Sequence, residues 1–161
     1  PCTVLHVRRS DVVFHNRLSR KYHAISEYMG AKEVPIHKNI LLLTDDQNAI
    51  GEASTLYPEY NWMYVDRPRW KAGEGGWERQ IPSSDPLFEM QVLLSTFQMV
   101  QQCESFVYST SSFANWLEYE MRRSNNNNDN KQVQAYNLDE KSSDKYGKHN
   151  FETKNISRSY E

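Results

Sequence analysis

The chain has 161 residues, enough for one domain with a core of its own. Its 19 basic and 21 acidic residues leave a formal net charge of −2, so no overall field draws it to nucleic acid or membrane, and any anion site must be local. No run of about 18 apolar residues exists to span a bilayer.

Pro1 stands in first place and a core strand begins at once, which points to a piece of a longer chain; a membrane anchor would lie outside this segment. Residues 3–7, TVLHV, are β-branched and apolar without alternation, the pattern of a strand covered on both faces. Leu18, Tyr22, Ile25 and Met29 then repeat at helical spacing, and Gly30 supplies a stop. NILLLTDD at 39–46 reads as a second buried strand ending in two carboxylates. Residues 47–56 form a short helix with Ile50 and Ala53 inward, and NWMYV at 61–65 is a third strand.

Residues 66–84 hold three of the six glycines beside two tryptophans and read as a long loop. Ser84, Asp85 and Pro86 predict a helix start, followed by an apolar face of Met90, Leu93, Leu94, Phe97 and Val100. SFVYS at 105–109 is a fourth buried strand. It runs into a helix that Ser111 or Ser112 can cap, with Phe113, Trp116 and Leu117 facing inward. Cys2 and Cys103 lack metal-ligand spacing and lie in or beside apolar segments, so they read as core thiols. After Met121 the sequence turns polar and asparagine-rich. The domain is therefore taken as 1–123, with 124–161 a low-complexity, mostly disordered tail.

Strand and helix alternate throughout, which predicts an α/β fold: an open, doubly wound, Rossmann-like parallel sheet. Ligands of such sheets bind beyond the carboxyl ends of the strands. That edge holds Arg8, Arg9 and Asp11 after the first strand, Asp45 and Asp46 after the second, and Ser109 to Ser112 after the fourth. Neither G-x-G-x-x-G after the first strand nor a P-loop is present, which argues against dinucleotide enzymes and P-loop NTPases. Two arginines and a serine-capped helix start would together suit a diphosphate. Blander readings stand beside this one. Arg8 and Arg9 could pair with Asp45 and Asp46, Ser111 and Ser112 could be plain caps, and His6 could be a hydrogen-bonded core histidine.

PCTVLHVRRSD, then Tyr28 and Met29, LLLTDD, YPEYNW, WKAG and FVYSTSSFANWLEYE occur in that order. Together they resemble the α1,6-fucosyltransferases that modify the core of N-glycans, over about residues 1–121. The resemblance implies one half of a two-domain, inverting glycosyltransferase that needs no metal or other cofactor. Its donor would be GDP-fucose, its acceptor an N-glycan core N-acetylglucosamine, and its location the Golgi lumen. It further implies that Arg8 and Arg9 are catalytic and bind the donor, and that His6 helps to recognise guanine. Asp11, Tyr28, Asp45, Asp46, Ser111 and Ser112 fall on donor-site or nearby positions.

The chain departs from the family pattern at Val12 and Asn16, where a lysine and a carboxylate are expected, and at Thr96, where an aspartate is expected. An amide cannot serve as a general base. The base would come from Glu89 or Asp11, or the chain binds nucleotide without catalysis; a purely structural module is the third reading.

Overall fold

Thr3 to Val7 are buried on both faces, as an unalternating β-branched run requires. The computed structural model that shows this describes residues 1–9, 21–69, 83–126 and 132–140. Among them the elements run β1 (Cys2–Val7), α1 (Ile25–Met29), β2 (Asn39–Thr44), α2 (Gln47–Leu56), β3 (Asn61–Met63), α3 (Pro86–Val100), β4 (Ser105–Tyr108), α4 (Ser112–Asn126) and β5 (Gln134–Asn137). No helix among the described residues is long and apolar enough to cross a membrane.

The strands form one sheet in the order β3-β2-β1-β4-β5, every pair parallel. Alternate residues of each strand feed two cores, one per face. Leu5, Val7, Ile40, Leu42 and Val107 pack with Ile25 and Tyr28 of α1 and with Ala49, Ile50 and Ala53 of α2. Val4, Leu41, Phe106 and Tyr108 pack with Val100 of α3 and with Ala114, Leu117 and Met121 of α4. The sheet is thus wrapped on both sides, as the alternation of elements predicts. His6 pairs with Leu43 on one side and Tyr108 on the other, so the carboxyl ends of β1, β2 and β4 share one edge.

Four expectations need correction. β5 lies inside the segment read as a disordered tail: its four residues are too few and too polar to signal a strand, yet they pair with β4, while Val133 and Leu138 beside them are buried. Residues 127–131 and 141–161 of that segment lie outside the described residues. Leu18 lies outside the described residues, and among those described the helix expected around Tyr22 is one turn only, starting at Ile25, with Glu27 capping it by accepting from the Ala24 N–H at 2.9 Å.

The cysteines are not thiols. Cys2 at the start of β1 and Cys103 just before β4 sit on neighbouring strands with Cα atoms 4.6 Å apart and form a disulfide. Last, the helix faces are rotated from their expected sides. α3 buries Thr96 and Val100 while Leu87 (69% exposed), Met90 and Leu94 face outward, and α4 buries Ala114, Leu117 and Met121 while Trp116 (64%) and Phe113 are exposed. Phe97 meets the Phe113 and Trp116 rings of α4, each at 6.2 Å between centroids, so the outward faces of the two helices are continuous.

Candidate functional site

In a sheet ordered 3-2-1-4-5 the strand order reverses between β1 and β4, and the crevice at that switch point is where such sheets take ligands. His6 and Arg8 end one wall, and residues 109–112 leave the other. By strand alternation His6 projects towards α4, and its ring lies 5.7 Å from that of Phe113 in the first turn of α4. Burial is the main cause that lowers the His6 pKa, to about 4; the neighbouring Arg8 lowers it further, and a hydrogen bond to the Ser109 backbone offsets part. The imidazole is therefore neutral at physiological pH. Among the described residues its buried Nδ1 has no hydrogen-bond partner, and an unmet polar atom of this kind carries a desolvation cost that a ligand can relieve.

The two arginines divide across the sheet. Arg8 is half-buried beside His6. Arg9 turns the other way and has no exposed surface. Its Nη1 donates to Glu52 Oε2 at 2.7 Å and to Asp46 Oδ2 at 3.5 Å, and its Nε donates to the His23 carbonyl at 2.9 Å. The Tyr22 ring covers the guanidinium at 4.6 Å. The Arg9 N–H also donates to Asp45 Oδ1 at 2.9 Å, and Asp46 caps α2 by accepting from the Asn48 N–H at 3.1 Å. Arg9 thus sits in an internal ion network with Asp46 and Glu52, which Asp45 joins through the backbone N–H, and among the described residues its Nη2 has no hydrogen-bond partner.

Tyr28 and Ser109 are buried with their hydroxyls near each other but without a well-formed hydrogen bond. Burial pushes the Tyr28 phenol far above its ordinary value, so it stays neutral. Ser111 is the cap of α4: its Oγ accepts from the Ala114 N–H at 2.9 Å, whereas Ser112 is exposed. Ser111→Ala is expected to cost about 1 kcal/mol of stability, and Ser112→Ala less than about 0.5 kcal/mol, measured by urea unfolding. Equal losses at the two positions would mean that the cap is shared.

Three residues of this edge escaped the sequence reading. Glu52 holds both Arg9 and, through Oε1, the Ile25 N–H at 2.7 Å. His23 bonds Asp139 Oδ1 and Glu27 Oε2, each at 2.9 Å, and Asp139 Oδ2 accepts from the Thr110 N–H at 2.6 Å. Of these, Glu52 had a usable signal, since it borders the Ala49, Ile50, Ala53 stripe of α2. His23 and Asp139 meet across 116 positions and carry none.

Asp11, Val12 and Asn16 lie outside the described residues, as does most of the long glycine-rich loop. Its first part returns to the edge, where Arg69 donates from Nε to the Thr44 carbonyl at 3.1 Å and Arg67 pairs with Glu89 at 2.7 Å. Thr96 is buried and donates its hydroxyl to the Val92 carbonyl at 2.7 Å. Among the described residues no group of three or more His, Cys, Asp or Glu side chains could hold a metal ion.

In comparisons with known proteins, no family model matches the chain and no curated protein matches its sequence.

Proposed function

We propose that the chain is the nucleotide-sugar-binding half of an α1,6-fucosyltransferase-like glycosyltransferase, with GDP-fucose as donor and an N-glycan core as acceptor. One observation carries this reading: the strand order sets His6 and Arg8 at the end of β1 across the switch point from the serine-capped start of the 15-residue α4. Backbone N–H groups, a helix dipole and a guanidinium facing one crevice are what a diphosphate requires. The neutral His6, with Nδ1 unmet, offers a purine edge a hydrogen bond that water cannot easily replace.

Cleaving a glycosyl phosphate leaves charge on the departing diphosphate as an oxocarbenium-like sugar forms. Arg8 and the α4 terminus would meet that charge, and a preorganised donor of this kind is worth about 3 kcal/mol of barrier. Arg9 would act one step back, as the residue that holds Asp45, Asp46 and α2 against the end of β1. The Cys2–Cys103 disulfide supports an oxidising compartment, in keeping with a Golgi-lumen enzyme, and so does the acceptor triplet Asn155-Ile156-Ser157.

A second reading, nucleotide binding without transfer, is favoured by Thr96, which spends its hydroxyl on its own helix where the family pattern has a carboxylate. Calorimetry with GDP and GDP-fucose tests both. Arg8→Lys keeps the charge but loses the planar fork, and affinity is expected to fall about tenfold to a hundredfold, as the loss of one or two charge-assisted hydrogen bonds implies. Binding accompanied by fucose transfer selects the first reading and binding without transfer the second. Absence of binding in the wild type would leave a structural α/β module.

A further inference from the structure

Among the described residues, His23 links the two walls of the crevice, directly at one and through Asp139 at the other. Its carbonyl receives Arg9 Nε from the β1 side. Its ring holds Asp139, just after β5, and Asp139 in turn holds the Thr110 N–H in the loop that leads to Ser111 and α4. Asn137 adds a second tie to that loop, its side-chain N–H donating to Thr110 Oγ1 at 3.0 Å. Beside the β1–β4 pairing, which ends in the Ser109 N–H bond to the His6 carbonyl at 3.4 Å, this imidazole is therefore a side-chain link between the loop presenting the start of α4 and the arginine segment.

Both ring nitrogens of His23 contact carboxylate oxygens at 2.9 Å. An ionised carboxylate only accepts, and a neutral imidazole carries a single N–H, so both contacts can be hydrogen bonds only when the ring is doubly protonated. The surroundings fit a cation. Asp139 faces the ring from β5 and Glu27 from α1, and Tyr28 of α1 stands edge-on at 6.1 Å, neutral throughout. Among the described residues the cation that meets His23 is Arg9, which binds the backbone carbonyl and spends its own charge on Glu52 and Asp46. The hydrogen bond to Asp139 raises the pKa of His23 above its ordinary value; burial opposes this and the bond to Glu27 adds to it. Burial pulls Asp139 up, but its bonds from His23 and Thr110 outweigh this and hold it below the usual carboxylate range.

We propose that His23 is a charge-dependent clasp, a positioning residue whose protonated ring keeps the Thr110 loop and the arginine segment in register, so that an anion is held more tightly when His23 is protonated. The ligand part rests on the nucleotide-binding reading above; the clasp itself does not. The sign follows from linkage. A histidine whose folded pKa lies above about 6.5 contributes stability that is complete below that value and is lost as pH rises through the folded one. On losing its proton the ring keeps one N–H for two carboxylates. Glu27, about half exposed, can turn to water and leave the remaining N–H to buried Asp139, but without the ring's charge that bond is weaker, and so is the hold on the Asp139–Thr110 tie.

Two measurements on the whole chain test this. The first needs no ligand: nitrogen NMR of the His23 ring and hydrogen exchange at the Thr110 amide, from about pH 5.5 to 9, in wild type, Glu27→Gln and Asp139→Asn. A doubly protonated ring that titrates above the free value, with Thr110 protection falling in step after correction for intrinsic exchange, is the expected result. Glu27→Gln alters an exposed partner, keeps the fold and lowers the midpoint. A neutral ring at pH 6, or Thr110 protection indifferent to it, overturns the clasp.

The second measurement is GDP affinity across the same window for wild type and His23→Gln. The difference between the two proteins removes the titration of GDP's own phosphate. About fivefold or more weakening through the His23 midpoint, present in wild type and absent in the variant, supports the ligand part. GDP binding with the same pH profile in both proteins overturns it. Absence of GDP binding at every pH refutes the nucleotide reading and the ligand part with it, and the clasp is still decided by the NMR arm.

Discussion

Removing the Cys2–Cys103 bond, by reductant or by Cys2→Ala with Cys103→Ala, is expected to lower unfolding stability by about 4.7 kcal/mol. The bond spans 101 positions, and in the loop-entropy account a closure of that size restrains the unfolded chain to about this extent. Folded domains hold only about 5–15 kcal/mol in total. The reduced chain should therefore sit near its folding threshold at body temperature. Alanine is the right replacement, because Cys103 is buried among Val100, Phe106 and Leu117 and a serine would add an unmet hydroxyl to that core.

The two half-cystines lie at the amino ends of β1 and β4, opposite the ligand edge. If the proposed nucleotide reading holds, the reduced protein should keep its GDP affinity below its lowered melting point. Urea titrations with and without reductant read the first effect and calorimetry the second. A stability loss below about 1 kcal/mol would mean that the oxidised and reduced unfolded chains are equally compact. Loss of GDP affinity in a still-folded protein would mean that the bond also sets the register of the β1–β4 pair at its far end.

The disulfide marks one limit of what the residues could announce. Two cysteines 101 positions apart carry no local signature, and only the neighbouring of β1 and β4 brings them together. Strands were legible because TVLHV, NILLL and SFVY are short, unbroken apolar runs that only a doubly covered sheet tolerates. Caps were legible at Asp85 and Ser111 because these residues act within three residues of themselves. β5 failed that test: QAYN has no apolar run, and its place is set by the edge of β4. Periodicity in α3 and α4 correctly announced apolar stripes but could not say what lies against them. The stripe holding Leu87, Met90, Leu94 and Trp116 faces outward among the described residues.

The candidate site divides along the same line. Residues at or just beyond strand ends, His6, Arg8, Asp45, Asp46 and Ser111, could be found from topology alone. Their division of labour could not, because "RRSD" reads as a unit until strand alternation is applied to it. Residues 6 and 8 then fall on the α4 side of the sheet and residue 9 on the side of α1 and α2, where Glu52 waits. His23 and Asp139 had no such neighbour to announce them, since each lies outside a regular element and they meet only in three dimensions.

Arg9→Met should therefore be the most damaging single change outside the apolar core, costing about 3–5 kcal/mol, the range for breaking a buried pair and leaving its partner charged. Asp46 would remain fully buried without its cation, and Glu52 would lose the contact that holds it where Oε1 caps Ile25 at the start of α1. The expected loss is thus partly a loss of α1. Arg9→Lys should recover little of it, because one ammonium cannot reach Glu52 and the His23 carbonyl together in the directions a planar guanidinium serves. Adding Glu52→Gln to Arg9→Met should restore a measurable part, since it removes one of the stranded charges, and the cycle of the two changes gives their coupling. Urea unfolding reads all four proteins. Arg8→Lys belongs beside them as a contrast: if Arg8 grips a diphosphate, this change weakens GDP binding at nearly unchanged stability, whereas Arg9 variants unfold first and lose binding as a consequence. If Arg9→Met instead folds as stably as wild type and fails only to bind GDP, the guanidinium must leave its internal carboxylates for the ligand. Both arginines would then be ligand contacts and Arg9 no scaffold.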